Sequence, residues 1–265
     1  MLRGRRRRDK GRGNHFSVSL IVDMTSGHPF DESYFKTEAY ANVSYTRFSQ
    51  YWWSNRFYAL LAHRYGPPRG RVLEVGCGLG HVLGWLARRY SVYGSDINTW
   101  ALEQARRNVP KGHFVQLSAE DLSAFPSASF QIVISKHVLE HLHDPELSIA
   151  EMSRVLVPRG LLLAATPNLD SPMRALKKGG WVGYKDPTHI NLKPPAEWLR
   201  LFQSHGLRPK RVFSDGFWDA PYLPVLPKPL QKLLFGAPGG LQAILGWGII
   251  PLRMGESLII MADKV

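Results

Sequence analysis

The sequence predicts a three-layer α/β protein with one seven-stranded sheet, mostly parallel, whose last strand is antiparallel. Three observations carry that expectation. Short apolar, β-branched runs alternate with helix-patterned segments between residues 71 and 215, as parallel strands joined by helical crossovers do. The first of these runs leads straight into a glycine-rich turn. The final run, Glu256 to Ala262, returns late, as a hairpin strand beside Arg208 to Asp215.

The elements follow in order. Ser44 to Tyr65 has helical spacing, with Tyr51, Trp52, Phe57, Tyr58, Leu60 and Leu61 on its apolar faces and Ser44 as the expected N-cap. Gly66-Pro67-Pro68-Arg69-Gly70 breaks it. Val72, Leu73 and Val75 then read as a strand buried on both faces, and Gly76, Gly78 and Gly80 follow on alternate positions. His81 to Arg89 suits a helix. Ser91 to Ser95 is the second strand, and Asn98 caps a helix from Thr99 to Asn108. His113 to Leu117 and Ser129 to Ser135 are strands three and four. Pro145 to Leu156 is an amphipathic helix with Leu147, Ile149, Met152, Val155 and Leu156 expected inside. Leu161 onward is the fifth strand, with Asn168 at its terminal loop, and Pro195 to His205 is a further helix.

Length and composition set bounds. At 265 residues the chain buries a full core as one domain with additions. A single cysteine, Cys77, excludes an internal disulfide framework and points to a reducing, cytoplasmic setting. The net charge is +13, and seven basic side chains against Asp9 in the first thirteen residues account for +6 of it, leaving +7. Residues 1–27 read as a solvated basic extension with Met24 as an alternative start, and nucleic acid is expected only through this tail, if at all. Residues 28–66 are a helical addition and 67–265 the main domain. Within it, residues 217–254 form an insertion rich in Pro, Leu and Trp, too broken to cross a bilayer but able to lie on one, wall a pocket or form a dimer face.

The glycine turn identifies the kind of ligand. A dinucleotide fingerprint puts its third glycine at position 81, where this chain has His81. The pattern is instead E-x-G-x-G-x-G with Glu74 near the strand end. A carboxylate there is awkward beside a pyrophosphate and suits a ligand bearing an ammonium or sulfonium. Asp96, twenty residues after Gly76, ends the second strand on the same crevice, where a carboxylate accepts ribose hydroxyls. His137-Val-Leu-Glu140-His141 matches the H-x-x-E-H zinc-peptidase pattern, whose three side chains share one face if the segment is helical. That leaves a zinc hydrolase as a rival, although the segment directly follows a strand of an alternating β/α chain.

Taken together, residues 71–80, Asp96 and Leu139-Glu-His-Leu-His-Asp-Pro145 resemble the class I S-adenosylmethionine-dependent methyltransferases of the small-molecule type, similar to the ubiquinone-biosynthesis O-methyltransferases. The resemblance spans about residues 30–215 and the last strand. It implies a Rossmann-like sheet, S-adenosyl-L-methionine as cofactor, and methyl transfer to a small, lipophilic acceptor, with O-methylation favoured. It implies a cofactor set of Glu74, Gly76, Gly78, Gly80, Asp96, Ile97, Ala119, Glu120 and Lys136, with Ser118 standing where the family usually has an adenine-binding Asp. The 28–66 segment becomes a lid, with Tyr34 and Tyr45 as its contacts. His189, in Asp186-Pro-Thr-His-Ile190, and His141 become the candidate bases. No metal is called for, though the family's metal-assisting E-x-x-E-H has its counterpart in His137, Glu140 and His141. A cofactor-free scaffold of the same fold is the other rival.

Overall fold

The computed structural model describes Tyr34 and residues 43–265. The expectations for residues 1–27, Met24 among them, lie outside the described residues. Among the described residues, seven strands form one sheet: β1 (Arg71–Val75), β2 (Ser91–Asp96), β3 (His113–Gln116), β4 (Phe130–Lys136), β5 (Leu156–Pro167), β6 (Leu207–Ser214) and β7 (Ser257–Lys264). Their order is β3-β2-β1-β4-β5-β7-β6, and only the pairings of β7 are antiparallel. The expected sheet is therefore the observed one.

Alternation along the strands builds the two cores. Val72, Ile132, Ile134, Leu161, Leu163, Ile259 and Met261 face one way. Leu73, Val75, Val133, Leu162, Ala164, Leu258 and Ile260 face the other. The first face is covered by α1 (Gln50–Tyr65), α2 (His81–Leu86) and α3 (Thr99–Asn108), through Phe57, Leu61, Leu83, Leu86 and Leu102. The second is covered by α4 (Pro145–Val155) and, beyond the short helices α5 (Pro172–Lys177) and α6 (Val182–Lys185), by α7 (Pro195–Ser204), through Ile149, Met152, Val155, Trp198 and Phe202. Each such side chain contributes roughly 1.5–3 kcal/mol when fully buried.

Several local expectations are corrected. The first helix begins at Gln50, not Ser44: Ser49 is the cap, its Oγ accepting from the Trp52 amide at 3.1 Å. Leu147 is 48% exposed, because the buried stripe of α4 runs through Ser148, Ile149, Met152 and Val155. β5 starts at Leu156, so Val157 to Gly160 extend the strand, with an irregularity in its pairing to β4. The 217–254 insertion contains an 18-residue helix, α8 (Lys228–Leu245), despite Pro238 in its interior. Among the described residues no helix is long and apolar enough to cross a membrane.

Candidate active site at the carboxyl ends of the strands

The parallel strands all point their carboxyl ends to one edge, so β1, β2 and β4 deliver Glu74, Asp96 and Lys136 there. Gly76, Gly78 and Gly80 all adopt positive φ. At Gly76, with φ 68°, a Cβ would lie 2.4 Å from Val138 Cγ2, so only glycine fits. The resulting turn sets the Gly78 amide 2.7 Å from Asp96 Oδ2, while the Asn98 amide donates to Asp96 Oδ1 at 2.9 Å. Each oxygen of Asp96 thus holds one backbone N–H. An ionised carboxylate has about four acceptor positions, which leaves room for a pair of hydroxyls. Asn98 caps α3 as expected, accepting from Ala101. Cys77 is a buried free thiol packed toward Gly94, consistent with a small filler.

Glu74 is buried, and its Oε2 has no hydrogen-bond partner among the described residues. Burial pushes its carboxyl well above the usual range, against the opposing pull of the Lys136 ammonium. Burial likewise pulls Lys136 down, with Glu74 and Asp215 opposing. Lys136 Nζ donates to Asn55 Oδ1 at 2.8 Å and sits 5.1 Å from the ring centroids of both Tyr51 and Tyr58. Tyr45 stacks on His81 at 5.9 Å over the turn; its hydroxyl and His81 Nε2 are buried without partners among the described residues. Unmet polar atoms around a buried carboxylate cost free energy unless a ligand meets them. These groups fit a cationic nucleoside such as S-adenosyl-L-methionine: a carboxylate for an ammonium, Asp96 for a ribose, and a turn without side chains between them.

The adenine end is less simply matched. Glu120 Oε1 accepts from the Asp144 amide at 2.7 Å, so this carboxylate helps fix the start of α4. Ala119 packs at the edge of the core, and the Ile97 carbonyl accepts from Gln116 Nε2 at 3.0 Å.

Beyond Lys136 the chain makes a left-handed step at His137, φ 54°, and then one tight turn over Leu139–His141. The H-x-x-E-H segment is therefore not an α-helix, so the helical face expected for its three side chains is not formed. His137 Nδ1 pairs with Glu140 Oε1 at 3.0 Å instead. Among the described residues, the group whose ligand atoms all lie within 4.8 Å of one another is Glu140, His141 and His189, and it is this set that could hold a metal. Glu140 is fully buried with Oε2 unpartnered among the described residues. His141 Nδ1 lies 2.9 Å from Thr188 Oγ1, and the Thr188 hydroxyl donates to Asp186 Oδ1. That assigns the Nδ1 proton of His141, which donates to Thr188. His189 Nδ1 lies 2.8 Å from the Gly183 carbonyl and must donate to it, leaving Nε2 as the acceptor, 4.0 Å from Asp186 Oδ2. The two imidazoles are 4.7 Å apart, and burial holds His141 below its ordinary value. Tyr34 reaches this cluster, its hydroxyl donating to Asp186 Oδ2 at 3.1 Å. Asn168 is buried and spent on backbone, donating to the carbonyls of Leu252 and Gly255.

Sequence reasoning missed three carboxylates on this edge. Asp215 follows β6 directly, accepts from the hydroxyl and amide of Ser257 and from Trp218 Nε1, and lies within electrostatic range of Lys136 and His137. Glu256 precedes β7, fully buried, and accepts from Trp181 Nε1 at 2.6 Å. Asp186 orients the histidines. A signal was available: each is an acid beside a strand end or a histidine in the motif already singled out.

Residues 73–164 match the pattern of a family described as a methyltransferase domain. An S-adenosyl-L-methionine-dependent Diels-Alderase of Talaromyces variabilis is 40% identical over 102 residues, 36% of this chain and 35% of that protein. A ubiquinone biosynthesis O-methyltransferase of Neisseria meningitidis is 27% identical over 145 residues, 48% of this chain and 61% of that one. The matched stretch therefore spans about a third to three fifths of these curated relatives. A putative methyltransferase from Bacillus halodurans superposes with a TM-score of 0.55 at 19% identity, over 78% of this chain and 98% of that one, which speaks to the fold.

Proposed function

We propose that the chain carries a domain of the class I S-adenosylmethionine-dependent methyltransferase family and that the whole protein transfers a methyl group from S-adenosyl-L-methionine to a small, lipophilic acceptor, with oxygen as the favoured acceptor atom. The observation that carries this reading is the convergence of Glu74, the 76–80 turn and Asp96 on one edge. When bound, the cofactor supplies a methyl already activated on a sulfonium. The protein's task is alignment, since correct placement of two reactants removes most of the entropic barrier.

Glu74 holds the cofactor's ammonium, and the Gly76–Gly80 turn lets the backbone approach. Asp96 keeps its Gly78 and Asn98 amides and takes the ribose hydroxyls on its remaining lone pairs. Tyr45 and His81 close the cleft from the 28–66 segment and α2 respectively, in keeping with a lid. On the acceptor side, His189 with Nδ1–H fixed by Gly183 offers Nε2 to a hydroxyl proton, and His141 is held neutral by burial. The Thr188–Asp186 relay fixes His141 in one tautomer. The same Glu140, His141 and His189 favour a second reading, a metal-dependent hydrolase, which metal analysis of the purified protein separates.

Calorimetric titration with S-adenosyl-L-methionine tests the proposal. The wild-type chain is expected to bind, and Asp96→Ala to bind at least about tenfold more weakly, since 1.4 kcal/mol is a factor of ten. Absence of binding to the wild type would exclude the transferase; unchanged affinity in Asp96→Ala would remove Asp96 from the ribose site.

A further inference from the structure

Helix α8 is amphipathic in the inverse sense. Its two buried residues are polar: Gln231 and Gln242. Gln231 accepts from the amides of Tyr222 and Leu223 and donates to the carbonyls of Leu223 and Leu226. Gln242 donates to the Ser214 carbonyl and accepts from the amides of Ile249 and Ile250. The outward face is apolar: Leu230, Leu233, Leu234, Leu241, Ile244 and Leu245 are all exposed, Leu233 at 67%. Their spacing puts them on one stripe of the helix. Trp247 and Ile249 continue it past the helix end, exposed by 41% and 58%. A stripe this long has nothing of the described chain to cover it, and a patch of this kind marks an interaction surface.

Charge selects the occupant. Residues 220–255 contain Lys228, Lys232 and Arg253 and no Asp or Glu, and all three basic side chains are exposed. Arg56 and Arg64 border the helix's C-terminal end, donating to the carbonyls of Ala243, Ile244 and Leu245, and Arg64 also lies over the Trp247 ring. A second copy docked through this face would set lysine and arginine against lysine and arginine with no acid within 220–255 to offset them, because a two-fold interface pairs a patch with itself. Leucines flanked by lysines, with a tryptophan at the margin, instead match a bilayer surface carrying anionic headgroups.

We propose that α8 and Trp247 dock this protein peripherally on an anionic lipid bilayer. The helix also abuts the acceptor side of the cleft: a Cβ at Gly239 would lie 2.6 Å from the Asp215 carbonyl, and Asp215 faces His137 and Ser257. Docking therefore holds that side of the cleft at the lipid surface, so that a lipid-borne acceptor arrives from the membrane. This last step rests on the transferase reading; docking itself does not.

The test is co-sedimentation of the full chain with vesicles of phosphatidylcholine alone and of phosphatidylcholine mixed with phosphatidylglycerol. The expected result is binding to the mixed vesicles at least about tenfold tighter than to the neutral ones. Leu233→Glu with Leu241→Glu, both at exposed positions, is expected to lose that binding while keeping its affinity for S-adenosyl-L-methionine. Lys228→Glu with Lys232→Glu leaves the apolar stripe intact and is expected to lose the preference for anionic vesicles. Wild-type protein that stays in the supernatant overturns the proposal. So does a Leu233/Leu241 variant that binds as tightly as wild type, since the basic N-terminal residues would then account for the attraction. A wild-type dimer in solution that the same variant dissociates assigns the face to a second copy and overturns it too.

Discussion

At the scale of single residues, Glu74 carries the most consequence. Its place in the sequence, one residue before the end of an apolar run and two before a glycine, was enough to mark it as the carboxylate of the cleft. Its protonation was not legible, because that follows from burial beside Lys136 and Asp96, which sequence spacing does not report. A cationic ligand facing Glu74 favours the carboxylate, so binding at neutral pH should release a proton. Titrations in buffers of different ionisation heat are expected to show that release at pH 7, and affinity to rise with pH up to about 8, the value to which burial raises the group. Glu74→Gln should abolish both effects and weaken binding at least about tenfold at pH 8.5. Equal apparent enthalpies in every buffer would show that Glu74 does not meet the ligand's charge. Residues whose roles depend on distant partners were the unreadable ones. Glu140 was read with His137 and His141 on a helical face, but the positive φ at His137 breaks that face, and His189, far along the chain from Glu140, completes the cluster.

At the scale of elements, legibility followed periodicity and punctuation. The strands and α3, α4 and α7 were readable because apolar spacing and caps agreed: Asn98 and Asp144 both accept from the first turn of their helices. Helix α8 was not readable, since Pro238 and the glycines at 236, 239 and 240 are breakers by propensity. Tertiary contact overrides them. Gly239 is needed for close approach to the end of β6, and the two glutamines clip the flanking loops to the helix. Gln242 matters most, because two of its three backbone contacts are buried on both sides, against one of the four made by Gln231. Gln242→Ala would strand a carbonyl and two amides, and the expected loss is about 3 kcal/mol, taking 1–3 kcal/mol for each unmet buried group and allowing water to reach some of them. Urea unfolding measures it as a lower midpoint at constant slope. A loss under about 0.5 kcal/mol would mean the loops hold α8 without this clip.

At the scale of the whole molecule, a mostly parallel sheet with an antiparallel last strand could be expected, because apolar runs alternating with helices call for right-handed parallel crossovers; the strand order, with β7 between β5 and β6, was not legible in spacing alone. Such a sheet collects acids and bases at one edge, and this has a consequence for stability. Glu74, at the end of β1, has a folded pKa raised above its unfolded value. Its contribution is therefore most favourable below about 4.5 and is lost as pH rises toward about 8. Lys136, at the end of β4, is depressed from 10.5 to about 8, so its unfavourable term is relieved as pH rises from about 8 toward 10.5. Together the two limbs make the contribution of this pair to stability least favourable near pH 8 in the ligand-free protein. Histidines that burial holds neutral, such as His81 and His141, add a rising limb at lower pH, so the pair is isolated by difference. Subtracting the unfolding free energies of Glu74→Gln from wild type between pH 5.5 and 9.5 should give a curve that falls toward pH 8. The same subtraction with Lys136→Met should give one that rises above it. Saturating S-adenosyl-L-methionine should fill in the minimum, since its ammonium supplies Glu74 with a partner and ligand binding adds stability by mass action. Flat difference curves would mean that the two groups stay solvated at the strand ends and that the cleft is open to water rather than waiting for a cation.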